Sequence, residues 1–201
     1  MKKLIILSLL TTLFIIPQQA FSQNGIELSG YTGWMLGGKV NLYNGSLKIE
    51  DGQNWGITLS KKIAPGMHAE LMYNRLVSDL TVREYGNTPY VYTKLATQYF
   101  HVGTVKEIIP EGMVRPYGTG SLGATVFSDR EGFDSDKWRF SVGLGGGLKI
   151  FPTERIGFRL QARMLVPLYF NGLWFGTGGG GVSTSSTIVQ GDFTGGVILA
   201  F

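Results

Sequence analysis

The chain has 201 residues, with 30 glycines, 12% aromatic and only 16% charged residues; that is room for one domain, and such a composition favours strands and tight turns over helices. The formal charge of +4 includes Lys2 and Lys3, and without them 16 basic residues face 14 acidic ones, about +2, which gives no reason to expect nucleic acid as a partner. With no cysteine, disulfides, thiolate metal sites, cysteine nucleophiles and a lipid-modified cysteine are excluded.

The first segment reads as an export address. Met1-Lys2-Lys3 is a positive start, and Leu4 to Ile16 is an apolar stretch interrupted by Ser8, Thr11 and Thr12. Pro17 breaks it, and Ala20-Phe21-Ser22 places small residues at the −3 and −1 positions of a cleavage site. Residues 1–22 are therefore expected to be a cleavable signal peptide, and 23–201 the mature domain. Thirteen residues are too few for a spanning helix, and no later apolar run approaches the roughly 20 that one needs.

Along the mature chain, apolar and polar residues alternate. Near the start Ile26, Leu28, Trp34 and Leu36 oppose Glu27, Ser29 and Tyr31. Trp55, Ile57 and Leu59 oppose Asn54, Thr58 and Ser60; Met67, Ala69, Leu71 and Tyr73 oppose His68, Glu70 and Asn74. Segments 90–107 and 114–128 also read as strands, but both of their faces are mixed and their phase stays open. Trp138, Phe140, Val142, Leu144, Leu148 and Ile150 oppose Arg139, Ser141, Gly143, Gly145, Gly147 and Lys149. From Ile156 to Phe170 every even position is apolar, while the odd ones include Gly157, Arg159, Gln161, Arg163 and Tyr169. At the end Phe193, Gly195, Val197, Leu199 and Phe201 oppose Gln190, Asp192, Thr194 and Gly196. A helix cannot use a period of two. Fifteen residues is also far beyond the usual soluble strand of about 5–6, but suits a tilted membrane strand.

Short turns at Lys62–Met67, Lys106–Met113 and Lys149–Glu154 each carry a proline, spaced 45 and then 42 residues apart. Longer polar connections are expected at 37–46, 78–89, 129–136 and 171–187. Three short turns and four longer loops join eight strands, so the expected fold is all-β: an eight-stranded antiparallel up-and-down transmembrane β-barrel. Both termini then lie on the short-turn side, the periplasm.

Alternation alone also fits a soluble carrier barrel with its apolar face inside. The membrane alternative is favoured by polar faces rich in Gly, Ser and Thr, which suit a narrow lumen. It is favoured too by aromatics near strand ends: Trp34, Trp138, Phe170 and Trp174 on the loop side, Phe151, Phe158 and Phe201 on the turn side. Phe193-Thr194-Gly195-Gly196-Val197-Ile198-Leu199-Ala200-Phe201 resembles the C-terminal insertion signal of bacterial outer-membrane proteins. Its in-phase residues are Phe193, Val197, Leu199 and Phe201. With the strand count, the mature chain resembles the broad OmpX/OmpA/OmpW-like family of small Gram-negative outer-membrane barrels. The resemblance implies recognition by the outer-membrane assembly machinery and contact with outer-membrane lipid. It does not choose among adhesins, porin-like channels, lipid-A enzymes and structural proteins.

Candidate chemistry is sparse. His68 has Glu70 two residues away on one face but no serine within its segment, and His101 has no acidic residue two positions away. A polar position in the lumen or at the membrane interface explains both. Gly176-Thr177-Gly178-Gly179-Gly180-Gly181 lacks the Lys-Ser/Thr of a phosphate loop and reads as the flexible tip of the last loop. Asp129, Glu131, Asp134 and Asp136 lack the terminal glutamate of a calcium loop and read as a solvated loop, with weak divalent binding or contact with lipopolysaccharide-bridging cations as the alternative. No enzymatic activity, cofactor or metal site is expected. Arg139, Arg159 and Arg163 with Glu27, Glu70 and Asp192 are strand residues in polar phase. Charges there cannot face lipid cheaply, so they are expected to pair as a lumen charge network, with Arg163 against Asp192 and Arg159 against Glu27 or Glu70.

Three functions remain open: a scaffold presenting loops, with an extracellular ligand meeting 78–89, 129–136 and 171–187; a narrow pore or conduit for small apolar molecules; and, behind these, a lipid-A-modifying enzyme.

Overall fold

The structure, a computed structural model, describes residues 25–42, 45–84, 88, 90–129, 137–176, 179–185 and 189–201. Its strands are β1 (Ile26–Leu36), β2 (Lys39–Leu42), β3 (Gly45–Ile49), β4 (Gly52–Ala64), β5 (Met67–Glu84) and β6 (Tyr90–Glu107). They continue with β7 (Val114–Asp129), β8 (Lys137–Ile150), β9 (Ile156–Gly176), β10 (Gly179–Ser185) and β11 (Gln190–Ala200). Strands β1, β4 to β9 and β11 are the eight staves, each antiparallel to its neighbours. The barrel closes where β1 pairs with β11, from Glu27 opposite Ala200 to Leu36 opposite Gly191. Closure leaves no stave with an open edge, which is what a bilayer without hydrogen-bonding water demands.

The faces are inverted relative to a soluble barrel. On β9, Phe158 and Leu160 are 50% and 52% exposed, while Arg159 and Arg163 are 2% and 5% exposed. The same order holds on β4, where Trp55, Ile57 and Leu59 point out and Asn54, Thr58 and Ser60 are buried. It holds on β11, where Phe193, Val197 and Leu199 point out and Gln190 and Asp192 are buried. On β6 the inward set is Thr93, Thr97, Tyr99, His101, Val105 and Glu107. Its faces read as mixed because Tyr99 and Val105 point in while Phe100 and Val102 point out. An arginine at Leu160 should cost about 2–4 kcal/mol, since it sits four residues above the turn end of β9, near mid-bilayer. Urea unfolding in lipid vesicles measures this, and a cost near zero would place Leu160 in water.

At the turn end, Pro65-Gly66 joins β4 to β5, with Lys62 opposite His68. Gly66 has φ +64°, a region in which a side chain would be strained. The turns are tied to neighbouring staves: Glu107 N–H donates to Gly66 carbonyl, Ile108 N–H to Pro116 carbonyl and Phe151 N–H to Met113 carbonyl, each at 2.8 Å.

Several expectations are corrected. The connections at 37–46, 78–89 and 171–187 are largely strand. β2 and β3 form a hairpin whose second arm pairs with the top of β5, Ile49 opposite Leu80 and Gly45 opposite Glu84. β10 folds back on β9 from Gly179 opposite Gly176 to Ser185 opposite Tyr169. Gly176 and Gly179 to Gly181 are thus paired backbone rather than a loose tip. In these segments the strict period-2 alternation lapses in the sequence while backbone pairing continues. Phe151 does not join a girdle: it is buried, with the Arg115 guanidinium 4.7 Å from its ring centre. The signal peptide, residues 1–22, lies outside the described residues, as do Glu131, Asp134 and Asp136 of the acidic cluster; Asp129 ends β7.

Candidate functional site

The lumen is the candidate site, and it is stacked in layers along the barrel axis. Nearest the turns is Lys149, fully buried, from the end of β8. Its ammonium donates to Glu27 Oε2 at 2.7 Å and Glu107 Oε1 at 2.9 Å. His68 Nε2 lies 3.3 Å from Glu107 Oε1, and His68 Nδ1 lies 3.9 Å from Glu27 Oε1. Donor atoms of Glu27, His68 and Glu107 lie within 4.8 Å of one another, a spacing that could hold a metal ion. Here the Lys149 ammonium supplies the positive charge between the two carboxylates.

The next layer centres on Arg159 of β9. Its Nη1 and Nη2 donate to the two oxygens of Glu70 at 2.6 and 3.2 Å, a two-pronged contact. Its Nε donates to the Tyr117 hydroxyl at 2.8 Å, and Ser60 Oγ donates to Glu70 at 3.1 Å. The Lys149 ammonium also lies over the Tyr117 ring, 5.9 Å from its centre, which links the two layers.

Above it, Arg163 Nη2 and Nε donate to Asp192 Oδ2 at 2.7 and 3.1 Å. Asp192 also accepts from Asn54 at 2.8 Å and Asn74 at 3.2 Å, so one carboxylate ties β11 to β4, β5 and β9. Arg163 contacts the Met72 sulfur as well, and its guanidinium lies 5.1 Å from the Tyr31 ring centre. Gly145 makes room for it: a Cβ there would stand 2.6 Å from Arg163 Cγ. His101 bridges two serines, with Nδ1 2.9 Å from Ser121 Oγ and Nε2 2.7 Å from Ser141 Oγ. Neither ring nitrogen is directed at a carboxylate in these contacts, so the geometry is that of a satisfied lumen histidine rather than a Ser-His-carboxylate triad.

Towards the loop end the lumen becomes apolar. Met35, Ile49, Met72, Leu76, Tyr99 and Leu165 form a buried cluster, with Leu80, Leu95 and Phe127 against it. The Tyr99 hydroxyl donates to Gln190.

Of the six residues expected in the network, the structure brings Arg163 to Asp192 and Arg159 to Glu70. Glu27 meets Lys149 rather than Arg159, because it stands beside the turn end, one layer below. Arg139 is not in this stack. It sits two residues into β8 at the loop end, half-buried, with Nη1 donating to Trp138 carbonyl at 3.0 Å. Lys149 and Glu107 are the members that sequence reasoning missed. Both border proline turns and read as turn residues, yet Lys149 is in polar phase with Arg139 and Ser141, and that signal was available.

An apolar belt outside and an ion-paired interior inside define a membrane-spanning β-barrel of the bacterial outer-membrane class. Searches of solved structures agree on the fold. Neisserial surface protein A (NspA) is similar with a TM-score of 0.58 at 17% identity, covering 88% of this chain and 97% of that one. The outer membrane protein OprG from Pseudomonas aeruginosa gives 0.56 at 12%, covering 90% and 100%. The outer membrane protein AlkL, solved in lipid bilayers, gives 0.50 at 12%, covering 92% and 94%. No protein-family model matches the chain, and no curated protein matches it.

Proposed function

We propose that the protein is a closed scaffold of the outer membrane that holds strand hairpins above the bilayer to meet an extracellular ligand. The filled lumen carries this reading. Among the described residues, three layers anchored on buried cations and a packed apolar layer are stacked along the interior. An eight-stranded barrel has just enough interior for side chains to fill. Such a barrel gains rigidity and loses a through-path.

In this reading residues 1–22 direct export and are cleaved after Ser22, and both termini face the periplasm. Phe193, Val197 and Leu199 of β11 and Phe201 just after it are exposed, and in this reading the assembly machinery recognises them. The presented elements are the β2–β3 hairpin and the segments 78–89, 129–136 and 171–187. A conduit for small apolar molecules is the second reading, and the apolar layer at the loop end favours it. Passage would require Tyr99, Leu76 and Leu165 to move and the ion-paired layers below to open. No catalytic role is proposed.

Replacing 171–187 with a short Gly/Ser turn should leave the barrel folded, as judged by its heat-dependent gel mobility. The same change should remove a protein or glycan that co-purifies with the wild type in mild detergent. An unchanged co-purifying set after shortening each hairpin in turn would contradict the scaffold reading.

A further inference from the structure

We propose that the outward face of β4, β5 and β6 binds one membrane lipid with an anionic phosphate headgroup, its phosphate on Arg75 and Gln98 and an acyl chain in the trough below. The outward positions of β5 run Leu71, Tyr73, Arg75, each about 7 Å from the last along the strand. Aliphatic, aromatic and cationic groups thus follow one another in the order in which a lipid passes from chain to interface to headgroup. Arg75 lies eight residues from the turn end of β5, about 20 Å of height at the usual barrel tilt, near the upper edge of a belt about 25 Å tall.

Two features distinguish Arg75 from the other charges. Among the described outward positions of β4, β5 and β6, it is the one charge between Lys61 and Lys106 near the turns and Asp79 and Lys94 above. No hydrogen bond or ion pair engages its guanidinium among the described residues, whereas Arg159 and Arg163 are fully paired inside. A half-buried arginine facing lipid needs an anion, and a phosphate matches its planar donor fork. Its cross-strand partners complete the cradle. Gln98 is directly opposite Arg75 on β6, and Trp55 is opposite on β4. The Tyr73 hydroxyl donates to Gln98 Oε1 at 3.0 Å, which turns the amide nitrogen of Gln98 into the donor left for a ligand.

Directly below lies an apolar trough of about 440 Å³, walled by Ile57, Leu59, Leu71, Val102 and Leu122 and roofed by Tyr73 and Phe100. The rings of Trp55, Tyr73 and Phe100 are in edge or tilted contact at 5.6 and 5.0 Å, so the roof is continuous. The trough belongs to the lipid-facing belt, and the charge above it selects among lipids.

The proposal rests on the membrane reading. Its test is native mass spectrometry of the full protein released from phosphatidylcholine nanodiscs holding a minority of phosphatidylglycerol. Wild type should retain one phosphatidylglycerol preferentially, and Arg75→Gln should lose that preference by about tenfold or more. Leu59→Trp, which fills the trough from the outer face, should reduce retention of that lipid while Arg75 is intact. Equal preference in wild type and Arg75→Gln overturns the proposal. So does binding of inorganic phosphate alone with the same dependence on Arg75, or an Arg75-dependent dimer in place of the lipid. Failure of wild type to enter the nanodisc would overturn the membrane reading with it; entry without preference overturns the lipid site alone.

Discussion

Replacing Lys149 with methionine should destabilise the barrel by about 3–5 kcal/mol, the loss expected when a buried charge is left without its partner. The removed ammonium contacts two carboxylates, Glu27 and Glu107, both nearly inaccessible to water. Without it two negative groups face each other in the lumen, with His68 the remaining neighbour able to carry positive charge. Methionine keeps most of the stem volume, so the effect reads electrostatics rather than a cavity. Adding Glu27→Gln and Glu107→Gln to Lys149→Met should recover most of the loss, because replacing the whole cluster costs far less than breaking it. Urea unfolding in vesicles, followed by heat-dependent gel mobility, measures both. A single-variant loss below about 1 kcal/mol would show the cluster to be solvated in the manner of surface pairs.

Asp192→Ala should have an effect of similar size for a different geometric reason. Asp192 is the point at which four staves meet: Arg163 from β9, Asn54 from β4 and Asn74 from β5 all donate to it from around the lumen. Truncation leaves a buried guanidinium and two amide groups without their acceptor, at about 3–5 kcal/mol. Lys106→Gln, an exposed change at the turn end of the same barrel, should stay within about 0.5 kcal/mol. Equal effects of the two substitutions would deny the lumen its part in stability.

Much of this arrangement is legible in the sequence because membrane and lumen impose opposite demands on alternate residues. Where both apply, as from Ile156 to Met164, period two reads directly and assigns each side chain its face. The proline turns likewise delimit the staves. Legibility fails where one demand lapses. Above the bilayer neither face meets lipid, so β2, β3, the end of β5 and β10 look like loops although their backbones are paired. Inside the loop-end half of the lumen, Met35, Leu76, Tyr99 and Leu165 are apolar on the inward face, which blurs the alternation that the lower lumen keeps sharp. Partner choice is less legible still. The spacing from a turn brought Arg163 level with Asp192, but Lys149 and Glu107 sit where strand and turn merge. The Ser121–His101–Ser141 bridge joins three staves with nothing local to announce it.

A barrel filled by its own side chains has no through-path. Single-channel recording of the full-length protein in a planar bilayer tests it most directly, with insertion verified by heat-dependent gel mobility of the same preparation. The layered lumen predicts no large, steady open state for the wild type. A large conductance that persists at rest would contradict it and put the pore reading in its place.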